Sequence, residues 1–232
     1  MAEQRIDTTV SPVSHARRRG LKAAVAGTAG LLSLPLLVTG LAGCDGKDFN
    51  PLAPSAAKFN GVDITGADYA KALSLTDPDG KRRSLTEFKG KVVVVFFGFT
   101  QCPDVCPTTM AELAEVRRRL GPDGDRVQGV FVTVDPERDT AAVLGEYVKA
   151  LDPSFVGLRG SVAEVTQAAR DFKVFFQKVP SKDGQSYTMD HTAGSYVFDP
   201  DGKVRLFLRY GLGVDAWVAD IKQLLQGTAA KA

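Results

Sequence analysis

The sequence predicts an α/β domain, a mixed sheet with helices on both faces. Three observations carry this expectation. Apolar runs of strand length alternate with stretches of helical periodicity. The run Val92 to Phe97 is apolar without a break, as a strand covered on both faces must be. The turn sequence Asp-Pro-Asp-Gly occurs twice, at 77–80 and 199–202, each time between short strand-like segments.

Taken in order, Ala72 to Leu75 and Arg82 to Leu85 flank the first turn and read as an N-terminal hairpin extension. Val92 to Phe97 is a central buried strand, bounded by Gly98. Pro107 suits the first turn of the helix that follows, which runs to Leu120 with Met110, Leu113, Val116 and Leu120 on one stripe and Gly121 as its stop. Val127 to Val134 is a second buried strand. Thr140 to Leu151 and Val162 to Phe172 are helices, and Val174 to Val179 is a strand. Gly194 to Phe198 and Val204 to Leu208 flank the second turn, and Asp215 opens a final helix through Leu225. There is no internal repeat and no low-complexity segment. A strand, two cysteines and a helix in succession resemble a thioredoxin-type fold.

The N-terminal region has its own logic. Arg17-Arg18-Arg19-Gly20-Leu21-Lys22 forms a positive n-region, Ala23 to Val38 an uncharged and mostly apolar h-region, and Leu41-Ala42-Gly43-Cys44 ends it with small residues. The pattern resembles a bacterial lipoprotein signal, with Cys44 as the lipid-bearing first residue of the mature chain. The twin arginines also look like a twin-arginine export signal, although Ala16 and Gly20 stand where that pattern prefers a hydroxyl residue and Phe. Asp45 resembles the signal that retains lipoproteins in the inner membrane, and three acyl chains would anchor the protein stably. The competing reading is an uncleaved transmembrane anchor, since Ala23 to Cys44 is uncharged and long enough to cross a bilayer. Gly27, Gly30, Pro35 and Gly40 make it a mediocre span. The expected organisation is a signal segment (1–43), a lipidated tether (44–58) containing Asn50, Pro51, Pro54 and Ser55, and a thioredoxin-like domain (59–232). Either reading places that domain outside the cytoplasm, on the periplasmic face of a bacterial inner membrane.

The charge belongs largely to the signal. The chain carries 29 Lys and Arg against 27 Asp and Glu, but five of the former and two of the latter precede Cys44, leaving a mature net charge of −1. No basic stripe or aromatic platform remains, so nucleic-acid binding has little support.

Chemistry is concentrated in Gly98-Phe99-Thr100-Gln101-Cys102-Pro103-Asp104-Val105-Cys106-Pro107, where a strand hands over to a helix N-terminus. Unpaired amides and the positive end of the helix dipole are expected to favour the thiolate there. Three residues separate the cysteines, where the usual redox motif has two. In a helix this spacing puts both sulfurs on one face, suited to a disulfide and equally to gripping one ion. Spacing alone leaves both open.

Histidine narrows the choice. His15 lies in the signal, so His191 is the one histidine of the mature chain, at the entrance to a strand in Tyr187-Thr188-Met189-Asp190-His191-Thr192. In a thioredoxin-like sheet that connection faces the cysteines, and oxidoreductases of the type carry a cis-proline there. No proline occurs between Pro180 and Pro200. Two thiolates and an imidazole suit Cu(I), and with a further weak donor Cu(II). Zinc would need a fourth strong ligand, for which only a carboxylate such as Asp104 offers itself. A single histidine before a strand is more often a packed residue than a ligand; the two exported cysteines tilt the balance. Met110 and Met189 read as core.

Phe97 to Pro107, then Val134-Asp135-Pro136-Glu137-Arg138-Asp139-Thr140, then Met189-Asp190-His191-Thr192 with Tyr196 and Asp199, resemble the Sco/SenC copper-assembly proteins. The resemblance covers Phe59 to the C-terminus. It implies that Cys102, Cys106 and His191 are copper ligands and that the protein is a metallochaperone, not an enzyme. Its partner would be apo cytochrome c oxidase subunit II, whose dinuclear copper centre it helps to assemble; no motif specifies the copper donor or the thiol reductant. The alternative is a thiol-disulfide reductase using Cys102 and Cys106 as a redox-active pair, or a redox sensor. A peroxidase is weaker, since of the required Pro and Thr only Thr100 is present. The 135–140 segment reads at least as well as structure, with Asp139 or Thr140 capping the next helix. Phe96, Phe97 and Phe99 read as core or as the apolar wall of the site.

Overall fold

The computed structural model describes residues 58–229. Its strands are β1 (Val62–Asp63), β2 (Ser74–Thr76), β3 (Arg82–Ser84), β4 (Val92–Gly98), β5 (Val127–Thr133), β6 (Val156–Leu158), β7 (Phe176–Pro180), β8 (Tyr187–His191), β9 (Gly194–Phe198) and β10 (Val204–Arg209). The helices are α1 (Val105–Arg119), α2 (Ala141–Leu151), α3 (Val162–Asp171) and α4 (Val214–Ala229), with 3-10 turns at Leu85–Phe88 and Gly121–Arg126. The expected signal segment and the expected tether up to residue 57, Cys44 included, lie outside the described residues. Among those described, no helix is long and apolar enough to cross a membrane.

Six strands form one mixed sheet in the order β1-β10-β9-β4-β5-β6. β4, β5 and β6 are parallel, and β9, β10 and β1 are antiparallel to their neighbours. β4 lies between β5 and β9, and every residue of these three strands is buried. That is why β4 and β5 read as unbroken apolar runs. Alternation along β4 separates two faces. Phe96 packs on Phe131 of β5, which packs on Tyr147 of α2, while Phe97 packs on Phe172, the C-cap of α3. Helices therefore cover both faces, as expected.

Two small hairpins sit apart from this sheet, β2-β3 and β7-β8. The first is the expected N-terminal hairpin. Its Asp-Pro-Asp-Gly turn and the one joining β9 to β10 share a construction: Asp77 and Asp199 each accept two backbone amides, and Gly80 and Gly202 take positive φ of 84° and 80°. Residues other than glycine pay a steric penalty there.

Three differences from the sequence expectation matter for the site. α1 begins at Val105, two residues before Pro107, so Cys106 is already helical; proline is accommodated at the third helical position because that amide has no partner within the helix anyway. β8 precedes β9 and ends at His191, so the histidine closes one strand and does not directly open the next. β6 and β1 extend the sheet at its two edges with segments too short to show periodicity.

Candidate metal centre

The carboxyl end of β4 delivers the cysteines. Gly98 ends the strand, the chain turns through Phe99 to Asp104, and α1 starts at Val105. This is the edge of a parallel sheet at which ligand sites gather in α/β folds. Asp139, fully buried in the turn between β5 and α2, holds the loop in place: Thr100 donates to it through its amide (3.1 Å) and hydroxyl (2.6 Å), and the Thr133 hydroxyl donates to it as well. Thr140, its neighbour, caps α2 by accepting the Val143 amide. The two residues offered as alternative caps thus divide the work, and Asp139 serves the site.

His191 arrives from the β7-β8 hairpin. Its Nε2 stands 3.5 Å from Cys106 Sγ, and its Nδ1 stands 3.1 Å from the Thr192 carbonyl oxygen. A carbonyl only accepts, so Nδ1 carries the proton and the Nε2 lone pair faces the sulfur. Burial holds the imidazole pKa below its ordinary value, which keeps the ring neutral. The rings of Phe96 and Phe99 both stand edge-on to the imidazole at 5.9 Å, forming the apolar wall. Phe97 points the other way and is core.

Cys102 is half-buried and Cys106 fully buried, and both are free thiols. The helix-end amide of Cys106 donates to Cys102 Sγ at 3.4 Å. Burial pushes the Cys106 thiol well above the ordinary range, and the Phe99 amide offsets only part of this. For Cys106 burial therefore works against the thiolate expected at the helix N-terminus, since the sulfur is shut away from solvent.

The ligand atoms of Cys102, Cys106 and His191 all lie within 4.8 Å of one another. Among the described residues this is the group of Cys, His and carboxylate donors close enough to share one ion. Two soft sulfurs and a neutral imidazole with its lone pair turned inward fit Cu(I). Asp104 stays outside the group, exposed and accepting from the Thr108 hydroxyl, so the fourth hard ligand that zinc would want is not supplied by it. Met110 is fully buried core, and Met189 is nearly so while also lining the mouth of the site. That mouth is a shallow cleft of about 210 Å³ between residues 99–105 and 188–193. The larger cleft, about 550 Å³ between Thr65–Lys71 and Asp199–Arg205, contains none of the three donors.

Sequence reasoning did not single out Tyr147. Its hydroxyl is buried without a hydrogen-bond partner, and its pKa is raised by burial and by the nearby sulfurs of Cys106 and Cys102. Only the packing of α2 against β5 brings it there.

Fold and site together define a thioredoxin-like domain that presents a Cys-Cys-His cluster at the end of its central strand. The SCO1/SenC family model matches residues 62–226, and the chain belongs to that family. The mouse mitochondrial SCO2 homolog is 42% identical over 132 residues, covering 56% of this chain and 52% of the relative. The SCO2-like protein of Rickettsia felis is 35% identical over 178 residues, covering 76% and 83%. The chain spans about half the length of the mammalian relatives it matches. Among solved structures, ScoI of Bradyrhizobium japonicum with copper bound is 42% identical with a TM-score of 0.60, covering 66% of this chain and 97% of that one.

Proposed function

We propose that this chain is a copper metallochaperone of cytochrome c oxidase assembly, holding its cargo through Cys102, Cys106 and His191 and delivering it to the dinuclear copper centre of subunit II. The observation that carries the reading is the convergence of three donors from two distant segments onto one point, with the imidazole tautomer already set for ligation. Family membership and the copper found in the Bradyrhizobium relative support the choice of ion.

Loading requires both thiols to give up their protons, while His191 supplies a lone pair and loses none. Cys106, pinned in apolar surroundings, and His191 form the inner side of the grip. Cys102 stands at the cleft, where an acceptor's donors can replace it first. Transfer by such exchange is downhill only if the acceptor binds more tightly, about 1.4 kcal/mol for each tenfold in affinity. The N-terminal pattern supports a tether through a lipid on Cys44, keeping the domain at the periplasmic face of the inner membrane beside its client.

The asymmetry of the thiols favours a second reading. In it the half-exposed Cys102 thiolate attacks a disulfide in the oxidase, forming a mixed disulfide and releasing one client thiolate; the Cys106 thiolate then attacks the Cys102 sulfur and releases the second, so that Cys102–Cys106 is oxidised as the client disulfide is reduced. Cu(I) titration of the reduced protein against a competing chelator separates the two. One tight equivalent that weakens at least about tenfold in His191→Ala, with disulfide formation between the cysteines intact, is expected. Binding that ignores His191 would reject the three-ligand site and leave the reductase.

A further inference from the structure

One side chain touches both halves of the metal centre. The Arg138 guanidinium donates through Nη1 to the Tyr187 carbonyl at 2.8 Å and to Gln101 Oε1 at 3.1 Å, and through Nε to the Asp135 carboxylate. Its carbon stands 3.7 Å from the Tyr187 ring centroid and 5.9 Å from that of Phe99. The Tyr187 hydroxyl in turn donates to Asp135 at 3.0 Å. Tyr187 opens β8, the strand that ends at His191, whereas Phe99 and Gln101 belong to the loop that carries Cys102.

These contacts matter because, apart from buried Met189 and the rings of Phe96 and Phe99 beside His191, few groups hold the histidine hairpin to the body. β7-β8 is separate from the central sheet. Between it and the 134–137 turn lies a cavity of about 70 Å³, lined largely by apolar side chains including Val134, Pro136, Phe176 and Met189, so packing there is incomplete. Besides the His191–Cys106 contact, two polar links reach the hairpin without Arg138 itself: the Tyr187 hydroxyl to Asp135, whose carboxylate Arg138 also grips, and Lys178 to Glu137, a surface ion pair about half exposed on both sides, of a kind that contributes little. The Arg138 Nη2 nitrogen is buried without a partner, so the fold accepts an unsatisfied group to keep the guanidinium in this position.

We infer that Arg138 is a positioning residue that sets where His191 stands relative to Cys102 and Cys106, using its planar fork for the hairpin carbonyl and the loop amide and its face for the two rings. A lysine cannot reproduce this, having one point charge and no plane. The effect on copper rests on the function proposed above; the effect on the hairpin does not.

Two measurements on the whole chain test it. In hydrogen exchange of the metal-free reduced protein, Arg138→Met and Arg138→Lys are expected to speed exchange of the amides of residues 187–192 by about tenfold while leaving β4 and β5 unchanged. Uniform acceleration, or none, would overturn the inference, and the lysine variant carries this arm should the methionine variant not fold. In a double-mutant cycle read by Cu(I) affinity, the Arg138 substitution lowers affinity about tenfold in the native background and has no effect in His191→Ala. An equal loss in both backgrounds, or none in the first, would also overturn it. Should the unaltered protein bind no Cu(I), the proposed function falls, and the exchange pattern alone decides the role of Arg138.

Discussion

Gly98 sets how closely the thiols approach the sheet. A Cβ there would lie 2.8 Å from the Phe96 ring, 2.9 Å from Cys106 Sγ and 3.0 Å from the Phe131 ring, so α1 packs where it does because this residue has no side chain. Gly98→Ala is expected to cost about 1–3 kcal/mol by overpacking and to shift Cys106 away from His191. Chemical denaturation and Cu(I) affinity measured together should both fall; an unchanged affinity would mean that the sulfur position does not depend on this contact. His191 gives a second expectation. Its folded pKa is lowered, so the unfolded chain takes up a proton that the folded chain refuses. Stability of the metal-free domain therefore declines as pH falls through about 6.5, and this contribution is entirely lost below the folded value. His191→Gln should flatten that part of the profile in denaturation at about pH 7.5 and 5.5, and equal slopes in the two proteins would contradict it.

At the scale of elements, helix starts were legible because their chemistry is local. Ser161 begins α3 with a complete capping box, accepting the Glu164 amide while the Glu164 carboxylate accepts the Ser161 amide. Ser161→Ala should lower stability by about 1 kcal/mol, seen as a lower denaturant midpoint at unchanged slope. No loss would mean that the box does not hold in solution. β8 was illegible as a strand for the opposite reason. Tyr187-Thr188-Met189-Asp190-His191 pairs with one neighbour and buries only Met189 among its five residues, so no apolar pattern marks it. β6, three residues long with Gly157 at its centre, is recognisable only by its pairing with β5.

Across the whole molecule, the N-terminal end of the described chain is fastened to α4. Asp220, fully buried, accepts the amides of Asn60 and Gly61 at 2.9 and 2.8 Å and the Asn60 side chain at 2.9 Å. The clasp joins residues about 160 apart in sequence. It fixes where the chain enters the domain, next to β1 on the sheet edge. Asp220→Ala leaves these donors unpaired and should cost about 1–3 kcal/mol. Limited proteolysis should then open a new cleavage near Asn60, and resistance equal to that of the native protein would show that β1 is held by other means.

The sequence by itself determined the sheet with helices on both faces, the central strand, the site residues Cys102, Cys106 and His191 as candidates, and their resemblance to the Sco/SenC proteins. Burial, periodicity and turn chemistry act between near neighbours and so are written in order along the chain. Tertiary structure alone decided that these three donors meet. It also decided that Cys106 is desolvated and that Asp139 and Arg138, from one turn, brace the loop and the hairpin. Those outcomes depend on which distant segments exclude water from one another, a property of the packed molecule that no local pattern encodes.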